Sequence, residues 1–294
     1  MNKWEADGHH PAPSNVYQVG KQKIARVHLF ESDEEAINQG LRVVWYSTSP
    51  FLQSLPMRLV EDHKVDLFRC ILTDVEVKNI LIEKIEKGSK HEGNFLTEAV
   101  IFKAKCVGRR YEDFIINGDT SEHFTQFDGL EKLTPKKNTF EVDDLKQIAK
   151  IQGSNLYDFM LINRSFFLKN KDDFIIESPV DYLYNDNPIY ISDWIEDEFI
   201  PENIWQKCRQ WLSTKVSFIK PCKANYSTVY LGKFDDGSMT KGISGIYGGE
   251  NILNVQSVGT HPSKDADIYR IKGYLGLAVF NEDDIVKVKV RLKA

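Results

Sequence analysis

The sequence is poor in the patterns that mark enzyme active sites and cofactor sites. Its 294 residues include four cysteines, and none of them stands at the close paired spacing that zinc sites use. It contains no phosphate-binding loop and no dinucleotide fingerprint. None of the seven histidines stands at helical metal-ligand spacing with a carboxylate partner. We therefore predict that the chain is not an enzyme, that it binds no metal and no cofactor, and that its thiols are reduced and partly buried.

Long apolar runs and an excess of basic charge are also missing. No run of about 18 apolar residues occurs, so we expect no membrane span. The first residues lack the apolar core of a secretory signal and read instead as a mobile arm. The formal net charge is -5. This charge weighs against a dedicated nucleic-acid binder, because such proteins neutralise phosphates with clustered lysine and arginine.

One short motif invites comparison with a catalytic site. The run GISGIYGG at 242–249 resembles a nucleophile elbow around Ser244, but Ile246 stands where the elbow requires glycine. A glycine turn between strands is the favoured interpretation. The acidic clusters at 143–144 and 282–284 follow turns, so we expect them to cap helices or face water. Among the tryptophans, Trp194, Trp205 and Trp211 are expected to be core residues or contact anchors.

The most informative segment is a long helical pattern over about 94–116. Apolar residues at spacings of four and three predict one face of an amphipathic helix, and these are Phe95, Ala99, Phe102, Cys106, Val107, Tyr111 and Phe114. Asn94 is a plausible N-cap. A helix of this span would be roughly 34 Å long, which suits a thin, extended subunit.

A dense turn cluster follows the helix. Asn117, Gly118 and Asp119 should end the helix, because asparagine and glycine tolerate positive φ and the aspartate side chain can bond backbone further along the chain. After a spacer comes FDGL at 127–130. We expect Phe127, Asp128 and Gly129 from this run to reverse the chain.

The rest of the sequence predicts a mixture of short helices and strands. Strands are predicted at 41–47, around 75–82 and at 188–195, and the C-terminal runs from 227 onward read as sheet with glycine-rich turns. A short helix is predicted within 140–152, and a core strand leading into a helix or turn at 158–170. Residues 202–215 have a helical rhythm and form a small insertion.

Taken in order, these segments resemble the tailed-phage major capsid proteins of the Hong Kong 97-type fold. The resemblance covers about 49–290 and is carried by SPFLQSLP (49–56), FIINGD (114–119), FDGL (127–130), FMLINR (159–164), NPIYISDWI (187–195), STVYLGKF (227–234) and YLGLAVF (274–280). It implies an α+β fold with an N-terminal arm (1–45), a peripheral domain with the spine helix (46–140), an axial domain (141–275) and a C-terminal return (276–294). The chain departs from the family in one place, because the glycine- and threonine-rich extended loop is much shortened.

The function that the resemblance implies is structural. It is the subunit of the icosahedral head of a tailed double-stranded DNA phage, assembled in the host cytoplasm as pentamers and hexamers. Scaffold, portal and decoration proteins would be its partners, and it would enclose DNA without sequence-specific binding. Changing Gly118 to Val is expected to give insoluble or unassembled subunits.

Two other hypotheses remain open at the level of sequence. The first keeps the fold and makes the chain an encapsulin-like shell protein of a bacterial compartment that holds an enzyme cargo. The second, less favoured, is a monomeric cytosolic enzyme with an unrecognised site. A size-exclusion peak near 34 kDa under every condition would leave only the second.

Overall fold

The structure is a computed structural model that describes most of the chain. The described residues are 16–19, 22–25, 49–60, 69–78, 95–122, 125–148, 151, 157–178, 181–201, 204–215, 225–248, 252–264 and 266–292. The chain divides into two compact units. The first contains Met1–Gln53, Arg58–Glu112 and Ile246–Gly276, and the second contains Ser54–Met57, Asp113–Gly245 and Leu277–Ala294.

Five α-helices have both of their ends within the described chain, and Ile148 and Ile151 are also helical. The five helices are α1 (Pro50–Ser54), α2 (Phe95–Asn117), α3 (Leu130–Leu133), α4 (Arg164–Lys169) and α5 (Ile204–Lys215). Short 3-10 turns lie at Lys136–Asn138, Leu145–Gln147, Lys171–Asp173 and Glu282–Asp284. The helix predicted at 94–116 is thus present within one residue at its C-terminal end, while Asn94 lies outside the described residues.

The buried stripe of α2 differs from the predicted one. Val100, Ala104, Val107, Tyr111 and Phe114 are all at most 5% exposed, and they follow one another at spacings of four and three. In contrast, Phe102 is 65% exposed and Cys106 is exposed. The predicted face joined two stripes that are out of phase, because Cys106 and Val107 are adjacent and cannot share one helix face.

The second unit is built on an eight-stranded sheet in the order β5-β15-β11-β6-β9-β8-β7, with β10 paired to β11. Its strands are β5 (Thr139–Val142), β6 (Phe159–Asn163), β7 (Ile175–Ile176), β8 (Tyr182–Tyr184), β9 (Asn187–Ser192), β10 (Asp197–Glu198), β11 (Tyr226–Gly232) and β15 (Ile285–Arg291). Strands β6 and β9 are parallel, as are β5 and β15. The pairs β10–β11, β11–β15, β6–β11, β7–β8 and β8–β9 are antiparallel. The sheet is therefore mixed.

The core of this unit follows from runs of β-branched and aromatic residues. All five residues of β6 and all seven of β11 are buried, as expected for central strands covered on both faces. Helix α4 begins directly after β6 because Asn163 Oδ1 accepts a hydrogen bond from Phe166 N at 2.6 Å. Phe166 and Phe167 then pack into the core cluster.

A five-stranded sheet has the order β13-β14-β12-β3, with β4 also paired to β14. Its strands are β3 (Met57–Leu59), β4 (Arg69–Lys78), β12 (Ile243–Gly248), β13 (Asn254–Thr260) and β14 (Ala266–Val279). In the first unit, β14 pairs antiparallel with both β4 and β13. A separate hairpin joins β1 (Val16–Val19) to β2 (Gln22–Ala25) within the predicted arm.

Several predicted elements are present with small shifts in their bounds. They include the strand and helix at 158–170, the strand at 188–195, the helix at 202–215 and the C-terminal strands. The prediction at 140–152 is wrong in part, because Thr139–Val142 is a strand that pairs with β15. The helical part begins as a 3-10 turn at Leu145–Gln147, and Ile148 and Ile151 after it are α-helical. Asp144, and not Asp143, caps that turn. The strand predicted at 41–47 lies outside the described residues, as do the side chains of Cys70 and Cys222.

Three further expectations need correction. The segment at 242–249 is mostly the strand β12 and not a glycine turn, and Ser244 in it is fully buried and donates a hydrogen bond to Pro56 O at 2.9 Å. Asp284 is buried rather than facing water, since it accepts from Gly242 N at 2.9 Å and pairs with Lys233 at 3.2 Å. The free thiols of Cys106 and Cys208 are exposed.

The predicted domain boundaries stay predictions, but the compact units divide the chain differently. Residues 141–275 were assigned to one axial domain, whereas Ile246–Gly276 belongs to the first unit. The reason is the antiparallel pairing of β14 with β4, which joins the two segments into one sheet. The shortened extended loop also stays a prediction, because residues 61–68 and 79–94 lie outside the described residues.

Candidate functional site

The structure brings the six predicted turn residues together at the C-terminal end of α2. Asn117 is the last residue of the helix, and Gly118 N donates to Phe114 O at 3.0 Å. The Asn117 side chain donates to Asp113 Oδ1 at 3.0 Å and to Trp194 O at 2.9 Å. The helix end is thereby attached to the segment that follows β9.

Two glycines allow the backbone to cross itself at this point. Gly129 N donates to Gly118 O at 2.8 Å. A Cβ atom added to Gly118 would lie 2.2 Å from Phe127 O and 2.5 Å from Phe114 O, and one added to Gly129 would lie 2.5 Å from Phe114 O. Gly118 does not have positive φ, nor does Asn117. The sequence predicted the right residues for the wrong reason. Glycine is required here because two backbone segments approach each other closely, and not because the backbone is left-handed.

Phe127 and Gly129 turn the chain back toward the body of the second unit. The Phe127 ring is 4% exposed and packs edge-on against Phe114, with ring centroids 5.9 Å apart. Gly129 is the N-cap of α3, whose first residue, Leu130, is fully buried. An aromatic pair of this geometry is worth about 0.5–1.5 kcal/mol beyond its area burial.

A small charged cluster closes the outer side of the turn. Asp119 Oδ1 accepts from Ser121 N at 2.7 Å and from Lys132 Nζ at 2.6 Å. Asp128 Oδ1 accepts from Thr120 N at 2.8 Å and lies 2.9 Å from Lys132 Nζ. The bond from Asp119 to a residue further along the backbone is the one that the sequence predicts.

The electrostatics of this cluster favour its ionised form. Hydrogen bonds from Lys132 and then Ser121 lower the pKa of Asp119 to about 2. Burial would raise the pKa of Asp128, but its bonds with Thr120 and Lys132 outweigh burial and lower the pKa. The pKa of Lys132 is raised, first by its bond with Asp119. The cluster therefore acts as a three-charge clamp across the turn at neutral pH.

Sequence reasoning missed a second polar cluster, which lies beside α3. Lys287 on β15 is only 5% exposed, and its Nζ donates to both carboxylate oxygens of Glu131 at 2.6 Å and to Glu198 Oε1 at 3.1 Å. Tyr230 OH donates to Glu131 Oε2 at 2.6 Å, and Lys289 Nζ donates to Glu198 Oε2 at 2.6 Å. This network joins α3, β10, β11 and β15.

Burial and charge shift two pKa values in this cluster. Burial raises the pKa of Tyr230 well above its usual range, and the Glu131 charge adds to the effect. Burial would raise the pKa of Glu198, but Lys289 and Lys287 outweigh burial and lower it. The alternation of lysine and valine in β15 predicts exposed lysines, so nothing in the local pattern signals that Lys287 is covered.

Both clusters are structural in kind, since each joins elements of the fold through paired charges. Among the described residues, no group of three or more His, Cys, Asp or Glu side chains could hold a metal ion. Within the same residues, no helix is long and apolar enough to cross a membrane. The placement of the six turn residues is thus known, while their part in assembly stays a prediction.

Comparison with solved structures defines the class of fold. A chain of the holo-SrpI encapsulin complex from Synechococcus elongatus is 12% identical and matches with a TM-score of 0.58, over 98% of this chain and 95% of that chain. The capsid chain of a native GTA particle is 10% identical and matches with a TM-score of 0.52, over 95% of this chain and 96% of that chain. No protein-family model matches the sequence, and no curated protein matches it either.

One match is from an encapsulin complex and the other from the capsid of a particle, and the likeness extends over nearly all of this chain. The chain has the Hong Kong 97-type fold. The resemblance drawn from its sequence motifs is confirmed at the level of the fold.

Proposed function

We propose that this chain is the subunit of a closed protein shell built by self-assembly. The observation that carries the proposal is the fold, which matches an encapsulin chain over 98% of this chain. The mechanism is mechanical. Each copy contacts several neighbours over modest areas, and the contacts add cooperatively because a closed lattice satisfies all of them together.

The surface of the chain supports this proposal. Several large apolar side chains are exposed on described elements, among them Phe102, Leu168, Ile175, Trp205 and Trp211, each at least 56% exposed. Exposed apolar groups of this size mark contact surfaces when they cluster. In a shell subunit, such groups would become buried between copies.

The contents of the shell define two forms of the proposal. In the first, the shell is the head of a tailed phage and encloses double-stranded DNA, with pentamers and hexamers as its assembly units. The formal net charge of -5 fits a container that does not grip a polyanion. In the second, the shell is an encapsulin-like compartment with an enzyme cargo, and the likeness to the encapsulin chain supports it.

The first experiment tests assembly. Purified chain is examined by size-exclusion chromatography and negative-stain microscopy over a series of protein and salt concentrations. We expect closed particles in the void volume. A single species near 34 kDa at every condition would contradict the proposal and leave the hypothesis of a monomeric enzyme.

The second experiment separates the two kinds of contents. Particles are isolated from cells that make the chain naturally, treated with nuclease, and then opened. Double-stranded DNA protected until opening supports the phage head. One co-purifying protein that is protected from added protease, without DNA, supports the encapsulin-like compartment.

A further inference from the structure

Helix α5 exposes three large apolar side chains. Trp205 is 82% exposed, Trp211 is 60% exposed and Leu212 is 38% exposed. From Trp205 to Lys215, the less exposed positions carry polar side chains, which are Gln206, Gln210 and Ser213. A helix that packs only within its own chain shows the opposite arrangement. Because a buried aromatic side chain removes about 150–250 Å² from water, covering this face would be strongly favourable.

The same helix carries charge of one sign. Its charged residues are Lys207, Arg209 and Lys215, all of them exposed, and it contains no acidic residue. Within the described part of the chain, none of the three takes part in an ion pair. We call the surface formed by these three residues with Trp205, Trp211 and Leu212 the tryptophan face.

A second exposed apolar surface lies at the outer edge of the eight-stranded sheet, where β7 is the last strand. Ile175 and Ile176 of β7 are 56% and 46% exposed, and Leu168 at the end of α4 is 63% exposed. Residues 168–186 contain five acidic residues and two lysines. We call this surface the isoleucine edge; its exposed acidic residues next to the apolar ones are Asp172, Asp173 and Glu177.

We propose that the tryptophan face of one copy docks on the isoleucine edge of a second copy. This inference rests on the proposed function, since it requires copies that assemble. Both surfaces expose apolar side chains, and their charges are opposite, because the tryptophan face carries three positive charges while five acidic residues and two lysines give 168–186 a net charge of -3. Complementary charge steers two surfaces together and fixes their register, while tryptophan and arginine are the usual anchors of such contacts.

The charge pattern also decides the symmetry of the contact. Two tryptophan faces cannot meet each other well, because three positive charges would face three others, and like charges across an interface cost several kcal/mol. A contact between two different surfaces is heterologous. It repeats from copy to copy and closes into a ring when the rotation per copy divides the circle.

Charge exchange tests the contact directly in the full chain. Lys207→Glu with Arg209→Glu reverses the tryptophan face, and Asp172→Lys with Glu177→Lys reverses the isoleucine edge. Each pair should raise the protein concentration needed for assembly by at least about tenfold. All four changes in one chain should restore assembly, because the charges are then complementary again.

A matched control reverses two exposed lysines outside both surfaces. Lys136→Glu with Lys146→Glu lowers the net charge by four, as the reversal of the tryptophan face does, and should assemble like the wild type. Circular dichroism and thermal melting show that each variant is folded. Should a charge-reversed variant fail to fold, Trp205→Ala with Trp211→Ala tests the same face without new charge and should weaken assembly similarly.

The outcomes separate this inference from the proposed function. If the wild-type chain never assembles, the proposed function fails, and this inference fails with it. Should wild-type and both reversed variants assemble alike, the inference is overturned while the shell proposal stands. Loss of assembly that the four-change chain does not restore also overturns it. Intact shells that lose only a co-purifying protein would assign the tryptophan face to that other partner instead.

Discussion

Replacing Gly118 by alanine is the most direct perturbation of the turn after the long helix. The added Cβ atom would lie 2.2 Å from Phe127 O and 2.5 Å from Phe114 O. A carbon atom normally stays about 3.3 Å or more from a carbonyl oxygen, so at least one backbone segment must move by roughly 1 Å. Neither oxygen can rotate away, because both belong to the main chain.

The expected loss of stability in Gly118→Ala is the sum of three effects. Overpacking costs about 1–3 kcal/mol, and the upper end applies because the clashing atoms are backbone. Movement of the two segments also weakens the hydrogen bond from Gly129 N to Gly118 O, at 2.8 Å, which contributes about 1 kcal/mol. Alanine lowers the conformational entropy of the unfolded chain, and this stabilises the folded state by about 0.4–1 kcal/mol. The net loss of stability is therefore about 3 kcal/mol, or about 6–12 °C in melting temperature.

The assay is thermal unfolding of unassembled subunits, with circular dichroism as the signal from which the melting temperature is read. The comparison variant is Gly259→Ala, because Gly259 has φ of +110° but nothing within 4 Å of an added Cβ. It should lose only about 1 kcal/mol, from backbone strain alone. If Gly118→Ala melts within about 2 °C of the wild type, or no lower than Gly259→Ala, the close backbone approach is not the reason that this turn requires glycine.

Three other changes test separate contacts. The pKa of Asp119 is lowered from 3.8 to about 2, so its contribution to stability is present above pH 3.8 and lost as the pH falls toward 2. In an acid titration, Asp119→Asn should therefore lack the loss of stability that the wild type shows between these two pH values. Lys287→Met should lower the free energy of unfolding by about 1–3 kcal/mol in denaturant titration, less than a fully buried pair because Glu131 is 52% exposed; an unchanged midpoint would refute this role. Tyr111→Phe removes the 2.7 Å bond to Gly276 O and should lower the free energy of unfolding by about 1 kcal/mol; a stability equal to the wild type would refute this contribution.

The sequence predicted those parts of the fold that local patterns determine. Helix α2 was predicted because 23 residues keep helical periodicity without an interruption. Strand β15 was predicted because four of its seven residues are β-branched, and β11 because Thr228, Val229 and two tyrosines favour a strand. The choice of Gly118 and Gly129 came from the resemblance and from turn chemistry. Their true constraint depends on residues on the other side of the turn, such as Phe127, and no window of sequence shows such a crossing.

The remaining features depend on tertiary partners. Lys287 stands in an alternating strand, and its burial is tolerable because Glu131 from α3 and Glu198 from β10 pair with its charge. The rhythm of α5 suggested one apolar side but not that this side faces outward. Periodicity reports which residues share a face, whereas the neighbour of that face is decided by the rest of the fold.

The position of β15 has a consequence for the timing of biosynthesis. This strand lies between β5 and β11, yet Ile285–Arg291 is translated after every other strand of the sheet. At usual rates of translation, the ribosome needs roughly 8–30 s to proceed from β5 to β15. During this interval, the position of β15 between the edge strand β5 and β11 is unfilled, and β5 has no partner to pair with. Subunits still attached to the ribosome are therefore incomplete, and contacts between copies on one polysome are delayed until each chain has been released or nearly so.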